Sequence, residues 1–347
     1  VLAGGAVVLA AGFGVGTLIR RHAAEVPAAE TPEATVAIPQ QQARATTAPI
    51  DPLMEEAPLP SDVYVSKPIV PTQAAAPLTA TPATAAPPDA SASSLLPSTR
   101  PAVIAGTPRW QANARPLVEA GDAPVVAIVI DDLGLDERRT EWTLGLDRNL
   151  TLAFMTYAEG PGQWEARARA ARHELLVHVP MQPLSPGIDP GPNALTVGLS
   201  EAEILGRLRW GLDRYGGYVG ANNHMGSRFT EDAAGMRVVL DELRARGLLF
   251  LDSRTTGRSA CGPVAAAVGL PFASRNVFLD NDTSASAVRG QIAVLEDVAR
   301  RHGTAIGIGH PHDGTLTALA EWLPLAASRG IAVVPLTSAM RIAAERA

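Results

Sequence analysis

The stretch Val125–Gly134 (VVAIVIDDLG) constrains the fold of this chain more than any other. Six apolar residues run without a break into two adjacent carboxylates and a glycine. Such a run reads as a strand buried on both faces, the environment of a parallel sheet covered by helices. Two acids side by side at its end cost free energy through repulsion and desolvation. A cation, a hydrogen-bond network or a catalytic task is what normally offsets that cost. Taken alone, the pair Asp131–Asp132 also fits a helix cap.

From Val118 onward, apolar runs alternate with amphipathic segments. Strands are predicted at Val125–Ile130, Leu150–Met155, Glu174–Val179, Tyr218–Ala221, Leu248–Asp252, Pro271–Arg275, Thr304–Ile308 and Ile331–Pro335. Helix-period segments lie between them. Ser200 with Glu203 forms a capping box before Ile204, Leu205, Leu208 and Leu212. Further helices are predicted at Gly160–Arg172, from Thr230 to Gly247, at Ala287–His302 and at Thr315–Arg329, the last three each stopped by a glycine. About seven or eight βα repeats predict an α/β fold, a distorted (β/α)7-8 barrel over residues 118–347. An open doubly wound sheet is the alternative. No G-x-G-x-x-G follows the first strand and no P-loop is present, so nucleotide binding has no support.

The region before the repeats has a different composition. Val1–Ile19 carries no charge and just reaches the ~20 apolar residues that cross a bilayer as a helix. Residues 1–20 are therefore expected to be a transmembrane anchor, with a cleaved signal segment as the alternative. The chain starts at Val1 rather than Met, which predicts further residues upstream. Residues 21–117 are rich in Ala, Pro and Thr and lack apolar periodicity, so a disordered, extended linker is expected. An anchor followed by a long tether suits a domain held at the bacterial inner membrane and facing the periplasm, or secreted if the segment is cleaved.

The net charge of −6 and the absence of a basic stripe argue against nucleic acid as a partner. The single cysteine, Cys261, excludes an intrachain disulfide and any cysteine-based metal cluster, and reads as a buried structural residue.

In a barrel the C-terminal strand ends build the active site. Those ends carry Asp131–Asp132, His178, Asn222–Asn223–His224, Asp252 with Arg254, Asn276 followed further on by Asp280–Asn281–Asp282, and His310 with His312. Four of the 7 histidines fall there. Each has a plain structural reading: a core histidine at His178, a hydrogen-bonded turn at Asn222–His224, a surface loop at His310–His312, an ion pair at Asp252 and Arg254. Their collection at one end of one scaffold favours a polar active site. Aspartate with two or three histidines and no cysteine is a ligand set for zinc or a similar divalent ion. Such an ion activates water for hydrolysis of an amide or ester, with a neighbouring carboxylate as base and an opposing histidine as acid. A phosphoesterase is a weaker alternative, since only Arg254 and Arg275 offer a basic clamp.

Five motifs then carry a family resemblance: Val129–Gly134 (VIDDLG), His178–Pro183 (HVPMQP), Asn222–Thr230 (NNHMGSRFT), Leu251–Thr255 (LDSRT) and Gly307–His312 (GIGHPH). In this order they resemble the divergent polysaccharide deacetylases, relatives of the NodB-type carbohydrate esterases. The resemblance spans about Val118 to Met340. It implies a distorted (β/α) barrel, a divalent metal, most simply Zn2+, and N-deacetylation of an acetylated polysaccharide or peptidoglycan-type glycan. It also implies roles: Asp131 as general base, Asp132 and His178 as metal ligands, His310 as acid with His312 as understudy, and Asn223, Asp252 and Arg254 as further active-site residues. Ordinary members carry a second histidine four residues after the first. Gln182 stands at that spacing here, and His224 is the candidate for the missing ligand. The usual Arg-Pro-containing fourth motif is absent. A catalytically impaired glycan-binding or scaffold protein is the alternative these departures leave open.

Overall fold

The computed structural model describes residues 106–346. The expected anchor and most of the expected linker lie outside the described residues. Among the described residues, no helix is long and apolar enough to cross a membrane.

The strands are β1 Val125–Leu133, β2 Thr151–Met155, β3 Glu174–Met181, β4 Gly220–Met225, β5 Leu249–Asp252, β6 Phe272–Ser274, β7 Val277–Phe278, β8 Thr304–Gly309 and β9 Ala332–Val333. The helices are α1 Arg109–Ala112, α2 Glu137–Leu144, α3 Pro161–Ala170, α4 Glu201–Leu212, α5 Ala233–Ala245, α6 Cys261–Val268, α7 Ala285–His302, α8 Asp313–Trp322 and α9 Leu336–Glu345.

All strand pairs are parallel and form one curled sheet in the order β6-β5-β4-β3-β2-β1-β8-β7, with β9 against β1. The two ends of that order, β6 and β7, are consecutive stretches of one segment. Arg275 N–H still donates to Asp252 O, while Asn276 N–H donates to Ile306 O. The chain itself therefore carries the sheet from β5 across to β8. The barrel expectation holds in this distorted form, and the doubly wound alternative does not.

Period-2 alternation sorts the strand residues into two cores. Val126, Ile128 and Ile130 join the outer layer under the helices, with Phe154, Val177 and Phe250. Val125, Ala127 and Val129 point inward, with Ala153, Leu176, Leu249, Leu251 and Ile308. The inner cluster is closed at the N-terminal ends of the strands by α9, through Leu336, Ala339, Met340 and Ile342, and by Trp110. Trp110 is 3% exposed, and its N–H donates to Gly247 O. The folded part thus reaches back at least to α1, earlier than residue 118. One aromatic amid Ala and Pro is enough to anchor that segment, because it buries a large apolar surface in the barrel floor.

The capping box of α4 forms as its spacing predicts. Asp136, and not Asp131 or Asp132, caps α2. Cys261 is buried, and burial pushes its thiol well up, away from reactivity.

Candidate active site

Asp131 shares the inward parity of Val125, Ala127 and Val129. An undisturbed strand would turn its neighbour Asp132 outward into the helix layer. The ladder between β1 and β2 shifts register between Ile130 and Leu133, and Asp132 takes a left-handed backbone, φ 57°. Aspartate tolerates that conformation better than most residues. The irregularity brings both carboxylates to the same side: His178 Nε2 lies 3.7 Å from Asp131 Oδ2 and 3.3 Å from Asp132 Oδ1. Gly134, at φ 92°, then turns the chain out past Ala158, where a Cβ would sit 2.6 Å from the Ala158 Cβ.

Register fixes the rest. Asn222 lies opposite His178, and His224 opposite Pro180. β4 runs on to Met225, so Asn222, Asn223 and His224 belong to the strand and not to a loop after it. Alternation sends Asn222 and His224 inward together. His224 Nδ1 is 2.8 Å from Asp132 Oδ1, and the His178 and His224 rings meet edge to face with centroids 5.1 Å apart. The ligand-type atoms of Asp132, His178 and His224 all lie within 4.8 Å of one another, and all three residues are buried.

Asn222 joins the two parts of this group. Its Nδ2 donates to Asp131 Oδ1 at 2.8 Å and Oδ2 at 2.9 Å, and its Oδ1 accepts from His178 Nδ1 at 2.8 Å. That bond holds His178 in the tautomer whose Nε2 presents a lone pair towards Asp132. Both Asp132 oxygens and His224 Nδ1 are buried without a hydrogen bond of good geometry. Acceptors that face one another in a buried site ask for a cation between them. Ligand atoms ~2.0–2.2 Å from a tetrahedral ion stand ~3.4 Å apart, close to the His178–Asp132 separation. The residues therefore fit a divalent ion. Burial alone would raise the Asp132 pKa. The charge of His224, the close approach of the His178 and His224 ring nitrogens, and the charge of His310 more than reverse that and hold it well below the usual range.

His310 ends β8. Its backbone N–H donates to Asp280 Oδ2 at 2.5 Å, its Nδ1 lies 3.0 Å from Asp280 Oδ1, and Thr315 Oγ1 donates to Asp280 Oδ2 at 2.7 Å. Burial opposes ionisation of Asp280, but the charge and hydrogen bonds of His310 prevail and lower its pKa. Asp280 thus fixes Nδ1 as the protonated nitrogen and makes Nε2 the one that exchanges protons. His312, half-buried, stands beside it with ring centroids 6.0 Å apart.

The other sequence candidates lie elsewhere. Asp252 has the outward parity of Phe250; its carboxylate accepts from Ser259 Oγ and Arg254 N–H, next to α6. Asn223 likewise braces the backbone, taking Ser253 N–H and donating to Met225 O. Arg254 follows β5 with a left-handed backbone, φ 54°. Gln182 is a strut: its Oε1 accepts from Val197 N–H at 2.8 Å, and its carbonyl from Arg228 and Phe229. Trp164 is buried in the outer core, whereas Tyr157 lies near enough to Asp132 to feel its charge. Burial and the Asp132 and Asp189 carboxylates keep its phenol protonated.

The sequence places Asn222 and Asp280 at strand ends without giving either a role. The role of Asn222 is visible in principle, since an inward His224 implies an inward residue two positions earlier. That of Asp280 is not, because 30 residues separate it from the histidine it holds.

Fold and site together define a parallel-stranded (β/α) barrel with an Asp-His-His cluster at its mouth. The model of the divergent polysaccharide deacetylase family matches residues 128–340, and the chain belongs to that family. An uncharacterized protein of Haemophilus influenzae is 33% identical over 198 residues, which is 57% of this chain and 70% of that protein. The uncharacterized protein YibQ of Escherichia coli is 34% identical over 197 residues, 56% of this chain but 61%, less than two thirds, of YibQ. Among solved structures, an uncharacterized protein of Agrobacterium tumefaciens is similar over 70% of this chain and 99% of its own, with 31% identity and a TM-score of 0.66.

Proposed function

We propose that this protein is a metal-dependent hydrolase that removes N-acetyl groups from an acetylated cell-envelope polysaccharide or peptidoglycan-type glycan. In this reading its N-terminal segment holds it to the membrane, with the barrel in the periplasm. The observation that carries the reading is the meeting of Asp132, His178 and His224 beside a second acid. Those three residues would hold the ion, most simply zinc. When bound, the ion supplies Lewis acidity to the acetamide carbonyl and to the water that attacks it.

The chain's own groups do the rest. Asp131, oriented by Asn222, takes the proton of the attacking water. His310, oriented by Asp280, donates a proton to the leaving amine. Asn222 also keeps His178 in its ligand tautomer. Tyr157, kept as an O–H donor, stands two residues past the end of β2, where the Asp132 charge acts on its phenol.

The test is metal content together with acetate release from acetylated glucosamine oligomers or peptidoglycan. Stoichiometric metal and acetate release support the reading. A protein that takes up no metal and hydrolyses no amide or ester probe sinks it. A second reading, a glycan-binding protein without turnover, draws on Asn222 bonding both oxygens of Asp131, which competes with that acid's work as a base. Glycan binding with no product, unchanged by Asp131→Asn, would favour it.

A further inference from the structure

The floor of the barrel, at the strand ends opposite Asp132, holds a cavity of about 260 Å³. This is several times the ~30 Å³ share of a water molecule. Among its lining residues are Asn113, Arg115, Arg169, Arg172, His173 and Gly217, from the segments that precede β1, β3 and β4. Three of those six are arginines.

Their charges are matched unequally. Arg169 pairs with Glu165 at 3.3 Å, and Gly217 allows this approach, since a Cβ there would stand 2.4 Å from Arg169 Nη1. Among the described residues, Arg115 and Arg172 form no ion pair. Arg115 Nη1 is buried without a hydrogen-bond partner. The nearest carboxylates to Arg115 are otherwise employed. Glu174 accepts from Thr337 and Thr151, and Asp147 accepts from Asn149 N–H. Burial lowers the His173 pKa and outweighs the Leu144 and Leu150 carbonyls that its ring nitrogens face, so His173 is not counted in the clamp. Burial and the neighbouring Arg172 and Arg148 charges also lower the Arg115 pKa. An arginine held half-buried against two like charges, with a donor aimed at nothing, is a site short of an anion.

We propose that this cavity binds an anion of the phosphate or sulfate class, with Arg115 and Arg172 as its guanidinium clamp and Asn113 at its edge. The assignment does not rest on the deacetylase reading, because no residue of the mouth takes part. The bound group is either a free phosphate or the phosphate of a larger envelope molecule, and the two are separable by ester type.

The test is calorimetric titration of the full 347-residue chain with inorganic phosphate, glycerol phosphate (a monoester) and glycerophosphoglycerol (a diester), in chloride buffer of matched ionic strength. Saturable binding at one site per chain is expected for at least one probe. Arg172→Gln, an exposed position that leaves the core untouched, weakens it about tenfold or more. Arg115→Lys, which keeps the charge and loses the fork, also weakens it. Arg237→Gln, an exposed arginine paired with Asp241, leaves it unchanged. Diester binding identifies a lipid headgroup or polymer phosphate as the source; binding confined to phosphate and the monoester identifies a small phosphorylated ligand. No saturable binding by any probe, or binding equally tight in Arg172→Gln, overturns the proposal.

Discussion

Two carboxylates at opposite ends of the barrel are equally buried and titrate in opposite directions. Asp132 at the mouth is 0% exposed and Glu174 on the floor is 1% exposed. Burial pushes both pKa values up. Around Glu174 the largest opposing contributions come from neutral donors: Thr337 through its hydroxyl and N–H, Arg115 through its backbone N–H, and Thr151 through its hydroxyl. Its pKa stays raised. Around Asp132 the opposing groups are imidazoles, and its pKa falls. What a buried acid does is decided by the charge of its neighbours rather than by its depth. Glu174 closes the floor by meeting the N-terminus of α9, where Thr337 N–H donates to it and Leu336 N–H donates to Thr151. Asp132 is arranged to face positive charge.

The comparison breaks most visibly at Asp132. Asp132→Asn keeps the side chain's shape and suits the left-handed backbone, φ 57°, where alanine would be strained. We expect a folded protein that has lost metal uptake and hydrolysis together, by more than the ~10–100-fold that follows loss of a supporting residue. Equilibrium dialysis against zinc and circular dichroism on the same sample check it. A variant that still binds metal stoichiometrically removes Asp132 from the ligand set.

Asn222→Ala comes next. It leaves Asp131 and His178 in place but frees the His178 ring and the Asp131 carboxylate to turn, so metal affinity should fall ~10–100-fold. Loss of hydrolysis with metal affinity intact would instead assign Asn222 to Asp131 alone.

At the floor the expected effect is smaller and depends on pH. The folded pKa of Glu174 is raised, so the protonated form is the one the fold prefers. Its contribution is fully present below the unfolded value of ~4.3 and is lost as pH rises through the folded value. Glu174→Gln mimics the protonated acid. It should flatten the fall in urea midpoint above that unfolded value and leave metal uptake unchanged. An unaltered slope would show that the floor acid is not the titrating group.

How far these two ends can be read from sequence differs for physical reasons. The run from Val125 to Ile130 declares its burial, and alternation with helix-period segments declares the barrel. His178 and His310 follow from their strands. The side on which Asp132 lies does not follow, because one left-handed residue reverses the parity that the pattern predicts. Asp252 fails for the opposite reason: alternation is undisturbed there and carries it outward. The helix α2 escaped notice because its buried residues are Thr140 and Thr143, which leave no apolar stripe. Trp110 was hidden in a segment whose composition otherwise forbids a core.

Gln182→Ala should give the smallest effect, and it tests whether the mouth has been assembled as proposed. At the spacing where relatives of the NodB type carry a second histidine, Gln182 accepts from Val197 N–H through its Oε1. Removing that one bond should cost about 0.5–1.5 kcal/mol, read as a shift in urea midpoint. Metal uptake should not change, because His224 reaches the cluster from the adjacent strand and makes a histidine at 182 unnecessary. The converse variant sharpens this. Gln182→His should fail to restore metal to His224→Gln if the backbone at 182 holds its side chain towards Val197. Restoration would show that either strand can supply the third ligand, and that the departure at 182 is a change of address rather than of chemistry.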